Sequence, residues 1–124
     1  MKRAAIRIRH GMDIDAEMEE MGKRFVETWH SGKPADPLLT LTFSSPAQLF
    51  SVITPKRWEL IERLQGIGPS SIRGLARALE RDVKRVHEDV TTLIEWGLVE
   101  RTEDGKVEVP FEVIHADFDL RALA

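Results

Sequence analysis

Residues 71–100 read SIRGLARALERDVKRVHEDVTTLIEWGLVE, and this stretch decides the fold. The spacing of its apolar residues predicts two short amphipathic helices that are separated only by residues 80–82. Ser70 or Ser71 can cap the first helix and Asp82 can cap the second, because side-chain oxygens accept hydrogen bonds from the free N–H groups of a first turn. The stretch is therefore predicted to be two helices joined by a tight turn.

The second of these helices is predicted to have two different sides. On a helical wheel drawn at 100° per residue, the apolar residues of this helix fall within roughly a third of the circumference. This apolar stripe consists of Val83, Val86, Val90, Leu93 and Ile94. Arg81, Lys84 and Arg85 fall on or near the opposite side, at the start of the helix, and Gly97 suits a left-handed stop at its end. We therefore expect the stripe to pack into the core and the basic start to face outward.

The flanking segments complete a larger arrangement. Thr54 and Pro55 suit the start of a preceding helix, which ends at residues 66–69. Further along the chain, β-prone runs at 98–101 and 106–109 flank an Asp-Gly turn, which is a strong signal for a hairpin. The order helix, helix, short turn, helix and hairpin is typical of a winged helix-turn-helix.

The amino-terminal part has a different pattern. Residues 3–9 end in alternating Ile and Arg, which predicts a half-buried strand, and the β-prone run Leu38–Phe43 can pair with it. A helix is predicted between these strands and a short one over residues 46–53. The sequence thus predicts an α+β fold, in which a winged helix-turn-helix over residues 46–124 follows an N-terminal β-α-β extension over residues 1–45.

Two further apolar segments stand out, one in the predicted N-terminal helix and one after the predicted hairpin. In the predicted N-terminal helix, Met18, Met21, Phe25 and Trp29 recur every three or four residues. This stripe is interpreted as core or as a dimer interface, and we assign the interface to it because flexible Met side chains suit such a surface. Residues 111–120 supply a final strand-like apolar segment.

The composition excludes several classes of protein. The 124 residues include no Cys, which excludes a disulfide framework and a thiolate metal site and predicts a cytoplasmic location. No apolar run approaches the roughly 20 residues needed to cross a bilayer, so no membrane partner is expected. The four His residues lack metal-ligand spacing, and no Gly-rich phosphate loop or nucleophile motif occurs. We therefore expect no metal, no cofactor and no enzymatic activity.

The charge is distributed unevenly along the chain. The net charge is −3, yet residues 63–87 carry six basic and two acidic side chains. Residues 102–124 carry two basic and six acidic side chains instead. Because DNA binding depends on a local basic face and not on the total charge, residues 63–87 are the candidate region for nucleic acid.

The basic start of the second helix is the predicted site of base contacts. Arg81 and Arg85 can each grip a guanine through two hydrogen bonds, and Lys84 suits a phosphate. Glu88 can either accept from a cytosine amino group or hold Lys84 or Arg85 in place at helical spacing. Thr92 is a weaker candidate contact on the same side.

Further phosphate contacts are predicted around this helix. The candidates are Ser70, Ser71, Arg73 and Arg77 on the first helix of the pair, and Arg101 and Lys106 in the hairpin. The start of a helix offers free N–H groups to a phosphate, and basic side chains can flank the same backbone. The alternative interpretation of all these charges is an ordinary solvated surface, which the order of helices, turn and hairpin disfavours.

The chain resembles prokaryotic transcriptional regulators with a MarR-like winged helix-turn-helix, a group that includes antitoxins of toxin–antitoxin operons. The resemblance covers about residues 45–120 and is carried by FSVITPKRWEL at 50–60, by residues 71–100 and by VPFEVIHADFDL at 109–120. It implies a repressor of its own operon, whose recognition helix has a basic start that matches Arg81, Lys84 and Arg85. It also implies, for the antitoxin members, a partner protein in the form of a cognate toxin.

Three functions are compatible with these observations. The first is a repressor that binds double-stranded DNA as a homodimer on a palindromic operator, acting as the autoregulating antitoxin of its operon. The second is a plain metabolic or efflux-type transcriptional regulator. The third is a winged-helix protein-interaction module without DNA binding, and the basic recognition face argues against it.

Overall fold

A computed structural model of the chain describes residues 2–9, 37–120 and 122. The predicted N-terminal helix lies outside the described residues. The proposed dimer interface at Met18, Met21, Phe25 and Trp29 lies there as well, and it stays a prediction.

The described residues form an α+β fold with four helices and two small sheets. The strands are β1 (Arg3–Ile8), β2 (Leu39–Phe43), β3 (Glu100–Arg101), β4 (Val107–Glu108) and β5 (Val113–Ala116). The helices are α1 (Pro46–Val52), α2 (Pro55–Ile67), α3 (Ile72–Leu79) and α4 (Val83–Glu95). None of the helices in the described part of the chain is long and apolar enough to cross a membrane.

All four helices begin at the residues that the capping chemistry predicts. The Ser45 hydroxyl caps α1 and the Thr54 hydroxyl caps α2, each followed by Pro at the start of the helix. Ser71 Oγ accepts from an N–H group in the first turn of α3 at 3.0 Å, which decides between the two predicted caps. The Asp82 carboxylate accepts from the Arg85 N–H at 3.2 Å and starts α4. These caps satisfy N–H groups that have no acceptor within the helix.

The larger sheet has three parallel strands in the order β2-β1-β5. The predicted pairing of the first two strands is confirmed, with Ile6 opposite Leu41. On its other side Ile6 lies opposite Ala116 of β5, so the final apolar segment also forms a strand. The sheet therefore combines strands from the predicted N-terminal extension with one from the far end of the chain.

One hydrophobic cluster joins this sheet to the helices. Its buried members include Ile6, Phe43, Leu49, Leu60, Leu64, Leu75, Val86, Val90 and Leu93. Val83, predicted to belong to the apolar stripe, is instead 43% exposed. It occupies the first turn of α4, beyond the part of the helix that the core covers.

The hairpin is shorter than the sequence predicts. Leu98 and Val99 belong to the buried core, so regular pairing begins only at Glu100. The backbone of Ser70 pairs with Val107 of β4 through two hydrogen bonds of 3.0 and 2.9 Å. The start of α3 is thereby fixed to the hairpin.

Candidate nucleic-acid interface

The turn between α3 and α4 is closed by backbone hydrogen bonds. Glu80 adopts the left-handed conformation with φ of 53°, and its N–H bonds to the Arg77 carbonyl at 3.1 Å. The Arg81 N–H reaches back to the Ala76 carbonyl at 3.0 Å. This pair of bonds satisfies carbonyls at the end of α3, and it turns the chain abruptly into α4. The predicted short connection is confirmed.

α4 presents one buried and one exposed side. Val86, Val90 and Leu93 are completely buried against the rest of the core. The exposed residues of the helix are Val83, Lys84, Arg85, His87, Glu88 and Glu95, and Thr91 and Thr92 are half-buried. The sequence-based division into an apolar and a polar side therefore holds along most of the helix.

Arg81 lies elsewhere than the sequence predicts. Its Nη2 donates to Asp89 Oδ2 at 2.8 Å, and its side chain is only 16% exposed. Its Nη1 is buried without an acceptor in the described part of the protein. A guanidinium held in this way cannot reach a base while the ion pair is intact. In the structure Arg81 thus has a structural role, and its predicted guanine contact stays a prediction that requires this ion pair to open.

Asp89 binds a second arginine on its other carboxylate oxygen. Arg57 Nε donates to Asp89 Oδ1 at 3.1 Å, and Arg57 Nη1 donates to the Val52 carbonyl at 2.6 Å. We call Arg57, Arg81 and Asp89 the Asp89 clamp. It connects the end of α1, the first turn of α2, the turn before α4 and the middle of α4 itself.

Sequence reasoning missed Asp89, although one signal was present. At helical spacing Asp89 lies on the flank of α4, between its apolar stripe and its charged side. A carboxylate at such a border is half-covered by the neighbouring elements, and basic residues on those elements are its natural partners. Arg57 could have been recognised as one such residue, since it lies in the first turn of α2, a helix predicted to pack in the same domain.

Lys84 and Arg85 remain as the exposed cations at the start of α4. Arg73 and Arg77 are exposed on α3. Within residues 2–9 and 37–120, no ion pair involves any of these four side chains or Glu88. The structure leaves their charges available for a ligand.

The two serines before α3 are already engaged in hydrogen bonds. Ser71 Oγ accepts the Gly74 N–H, and Ser70 Oγ donates to the Ser71 carbonyl at 2.9 Å. The Ser70 N–H donates to the Val107 carbonyl. The N–H groups of Ser71, Ile72 and Arg73 are therefore the donors left at this helix start among the described residues.

At the tip of the hairpin, the charges of Asp104 and Lys106 partly offset each other. The Thr102 hydroxyl donates to the Asp104 carboxylate, and this bond lowers the pKa of that carboxyl below its ordinary value. Lys106 lowers it further, with its Nζ 3.8 Å from Asp104 Oδ2. Arg101 and Lys106 are both exposed, but the charge of Lys106 is partly offset by its neighbour.

Comparison with known proteins identifies a family to which the chain is similar. No curated protein and no solved structure matches the chain. The family HVO_A0114 matches residues 52–116, just over half of the chain. The matched range runs from the end of α1 to the end of β5 and includes the whole Asp89 clamp, α3, α4 and the hairpin. The chain therefore belongs to the HVO_A0114 family.

Proposed function

We propose that this protein is a sequence-specific repressor of transcription that binds double-stranded DNA. In this proposal α2, α3, α4 and the hairpin of β3 and β4 act as a winged helix-turn-helix, and α4 enters the major groove. The observation that carries it is the exposed start of α4, where Lys84 and Arg85 have no ion-pair partner among the described residues while the opposite side is buried. An α-helix of this kind fits the major groove, and its amino-terminal residues reach the bases.

The roles of the basic residues follow from their surroundings. Arg85 is assigned to a guanine, because its guanidinium is exposed and can form two parallel hydrogen bonds with O6 and N7. Lys84, Arg73 and Arg77 are assigned to phosphates, together with the free N–H groups at the start of α3. Arg81 is left out of the interface because Asp89 holds it. The hairpin contributes mainly through Arg101.

Further parts of the proposal depend on the sequence alone. A homodimer on a palindromic operator is proposed because two half-sites require two recognition helices related by symmetry. Autoregulation as the antitoxin of a toxin–antitoxin operon, with a cognate toxin as partner, is proposed from the family resemblance described above.

The test is a DNA selection followed by titration. Duplexes that bind the wild-type protein are selected from a random pool. The most enriched duplex is then titrated with the protein, and binding is followed by fluorescence anisotropy. The double variant Lys84→Ala/Arg85→Ala is expected to bind at least about tenfold more weakly, because a bidentate base contact and a phosphate contact are lost. Lys84→Ala alone should reduce the slope of log affinity against log salt by about one unit.

A matched control is Lys56→Ala, which removes the same charge from an exposed lysine that pairs with Glu59 on α2. It should bind like the wild type. A selection that enriches no sequence, or a double variant with wild-type affinity, would refute the proposed function.

A further inference from the structure

Glu88 lies at the centre of the exposed side of α4. At 100° per residue, it points about 170° away from the mean direction of the buried residues Val86, Val90 and Leu93. Its side chain is exposed, with Lys84 one turn before it and Thr92 one turn after it. Any partner that meets this side of the helix therefore meets a carboxylate in the middle of it.

This carboxylate is not neutralised within its own helix. Lys84 and Arg85 stand at the spacing of a helical ion pair, yet neither forms one with Glu88. The order of the two residues along the helix also disfavours an ion pair. A glutamate four residues after a lysine stabilises the helix less than a glutamate four residues before it. Of the two roles that the sequence allows for Glu88, holding a basic neighbour is thus the one that the contacts disfavour.

A lone carboxylate restricts which DNA can occupy the groove. It only accepts hydrogen bonds, so it repels the phosphates and the acceptor atoms of guanine and thymine in the major groove. Adenine offers a donor at N6 but places the acceptor N7 beside it. Cytosine offers the N4 amino donor without that neighbouring acceptor, and it is the base that carboxylates read.

We propose that Glu88 is a specificity-determining residue of this interface, beside Arg85, and selects duplexes with a cytosine at the centre of each contacted half-site. The inference rests on the proposed function, since it requires α4 to lie in the major groove. It deepens that function by naming the class of DNA that is bound. Lys84, Arg73 and Arg77 supply affinity for any duplex through phosphates, Arg85 reads its guanine, and the carboxylate of Glu88 lowers affinity for duplexes that lack the cytosine.

The experiment compares two isosteric variants that each remove one negative charge from the same side of α4. Glu88→Gln is compared with Glu95→Gln, whose parent residue is also exposed and lies two turns further along, about 10 Å away. Each protein is used at full length in the same random-duplex selection, and circular dichroism melting checks that each is folded. The selected duplex and its three single-base variants at the cytosine position are then titrated.

The wild type is expected to prefer cytosine at that position by roughly tenfold. Glu88→Gln should move the preference to adenine, which an amide reads through N6 and N7, and should bind unselected duplex more tightly because a repulsive charge is gone. Glu88→Ala should lose the preference altogether. Glu95→Gln should keep the wild-type base preference.

Two outcomes would overturn the inference. If the base preference of Glu88→Gln equals that of the wild type, or if both glutamine variants change it equally, Glu88 reads no base and is a solvated charge. In either case the wild type still selects a sequence, so the proposed function survives. If the wild type selects no sequence at all, the proposed function and this inference fail together.

Discussion

Asp89 has more structural consequence than any other charged side chain of α4. It receives hydrogen bonds from Arg81 at 2.8 Å and from Arg57 at 3.1 Å, and all three side chains are at least four-fifths buried. Breaking such a pair from one side costs more than the pair itself contributes, because the remaining charge stays in a poorly solvated place. The clamp therefore fixes the position of α4 relative to α2.

Removing the clamp carboxylate tests this role. Asp89→Ala is expected to lower the free energy of unfolding by about 3 kcal/mol, since two largely buried guanidinium groups lose their partner. Urea denaturation followed by circular dichroism measures the change. The control is Glu88→Ala on the neighbouring exposed residue, which should stay within about 0.5 kcal/mol of the wild type. Equal effects of the two variants would show that the clamp contributes no stability.

At the scale of elements, the connection from α3 to α4 depends on one unusual backbone conformation. Glu80 is the single non-Gly residue with positive φ among the described residues, and this conformation ends α3. A side chain there costs about 1 kcal/mol, because Cβ approaches the following carbonyl oxygen. The bonds from Glu80 and Arg81 to the last carbonyls of α3 offset that cost. The backbone of this turn therefore contributes to holding the crossing of α3 and α4, together with the buried side chains between the two helices.

Glycine at this position should stabilise the turn. Glu80→Gly is expected to raise the free energy of unfolding by about 0.5 kcal/mol. The variant relieves the strain at this position, and the larger conformational entropy of glycine in the unfolded chain offsets part of that gain. Thermal melting followed by circular dichroism gives the measurement. Ala78→Gly, within α3, is the matched control and should lower stability by about 1 kcal/mol. A loss of stability in both variants would mean that Glu80 is not strained.

At the scale of the whole molecule, the sheet and the helices share their interior. Ile6 and Phe43 of the sheet belong to the same buried cluster as Leu75 of α3 and Val90 of α4. Phe43 also packs on Trp96 after α4, with ring centroids 5.3 Å apart. The strands at 3–8 and 39–43 are therefore expected to unfold together with the helices.

A core substitution in β1 tests this cooperativity. Ile6→Ala truncates a side chain that is buried in the core, since Ile6 is 1% exposed. It should lower the free energy of unfolding by about 3 kcal/mol. Trp fluorescence and far-ultraviolet circular dichroism should report the same single transition in urea, in the wild type and in the variant. Thr40→Ala, at an exposed position of β2, should change little. A separate early transition would mean that the strands form an independent unit.

The sequence predicted those features that depend on local chemistry. Caps at Thr54 and Asp82 and the stop at Gly97 were confirmed, because each depends on hydrogen bonds or dihedral angles of a few consecutive residues. The ion pair of Arg81 with Asp89 was not foreseen, because a helical wheel applies only to helical residues and Arg81 precedes the cap of α4. The pairing of β5 with β1 could not be predicted, since it joins segments at opposite ends of the chain.

That pairing sets the order in which the molecule can fold. Arg3 lies opposite Val113, so the sheet is complete only after the residues up to Ala116 have left the ribosome. The contacts among α2, α3 and α4 close over short stretches of chain and can form earlier. Until β5 arrives, one side of β1 presents unpaired backbone groups that can bind the strands of other nascent chains. Pairing of β5 with β1 therefore covers this edge of β1 and removes a site at which another chain could pair.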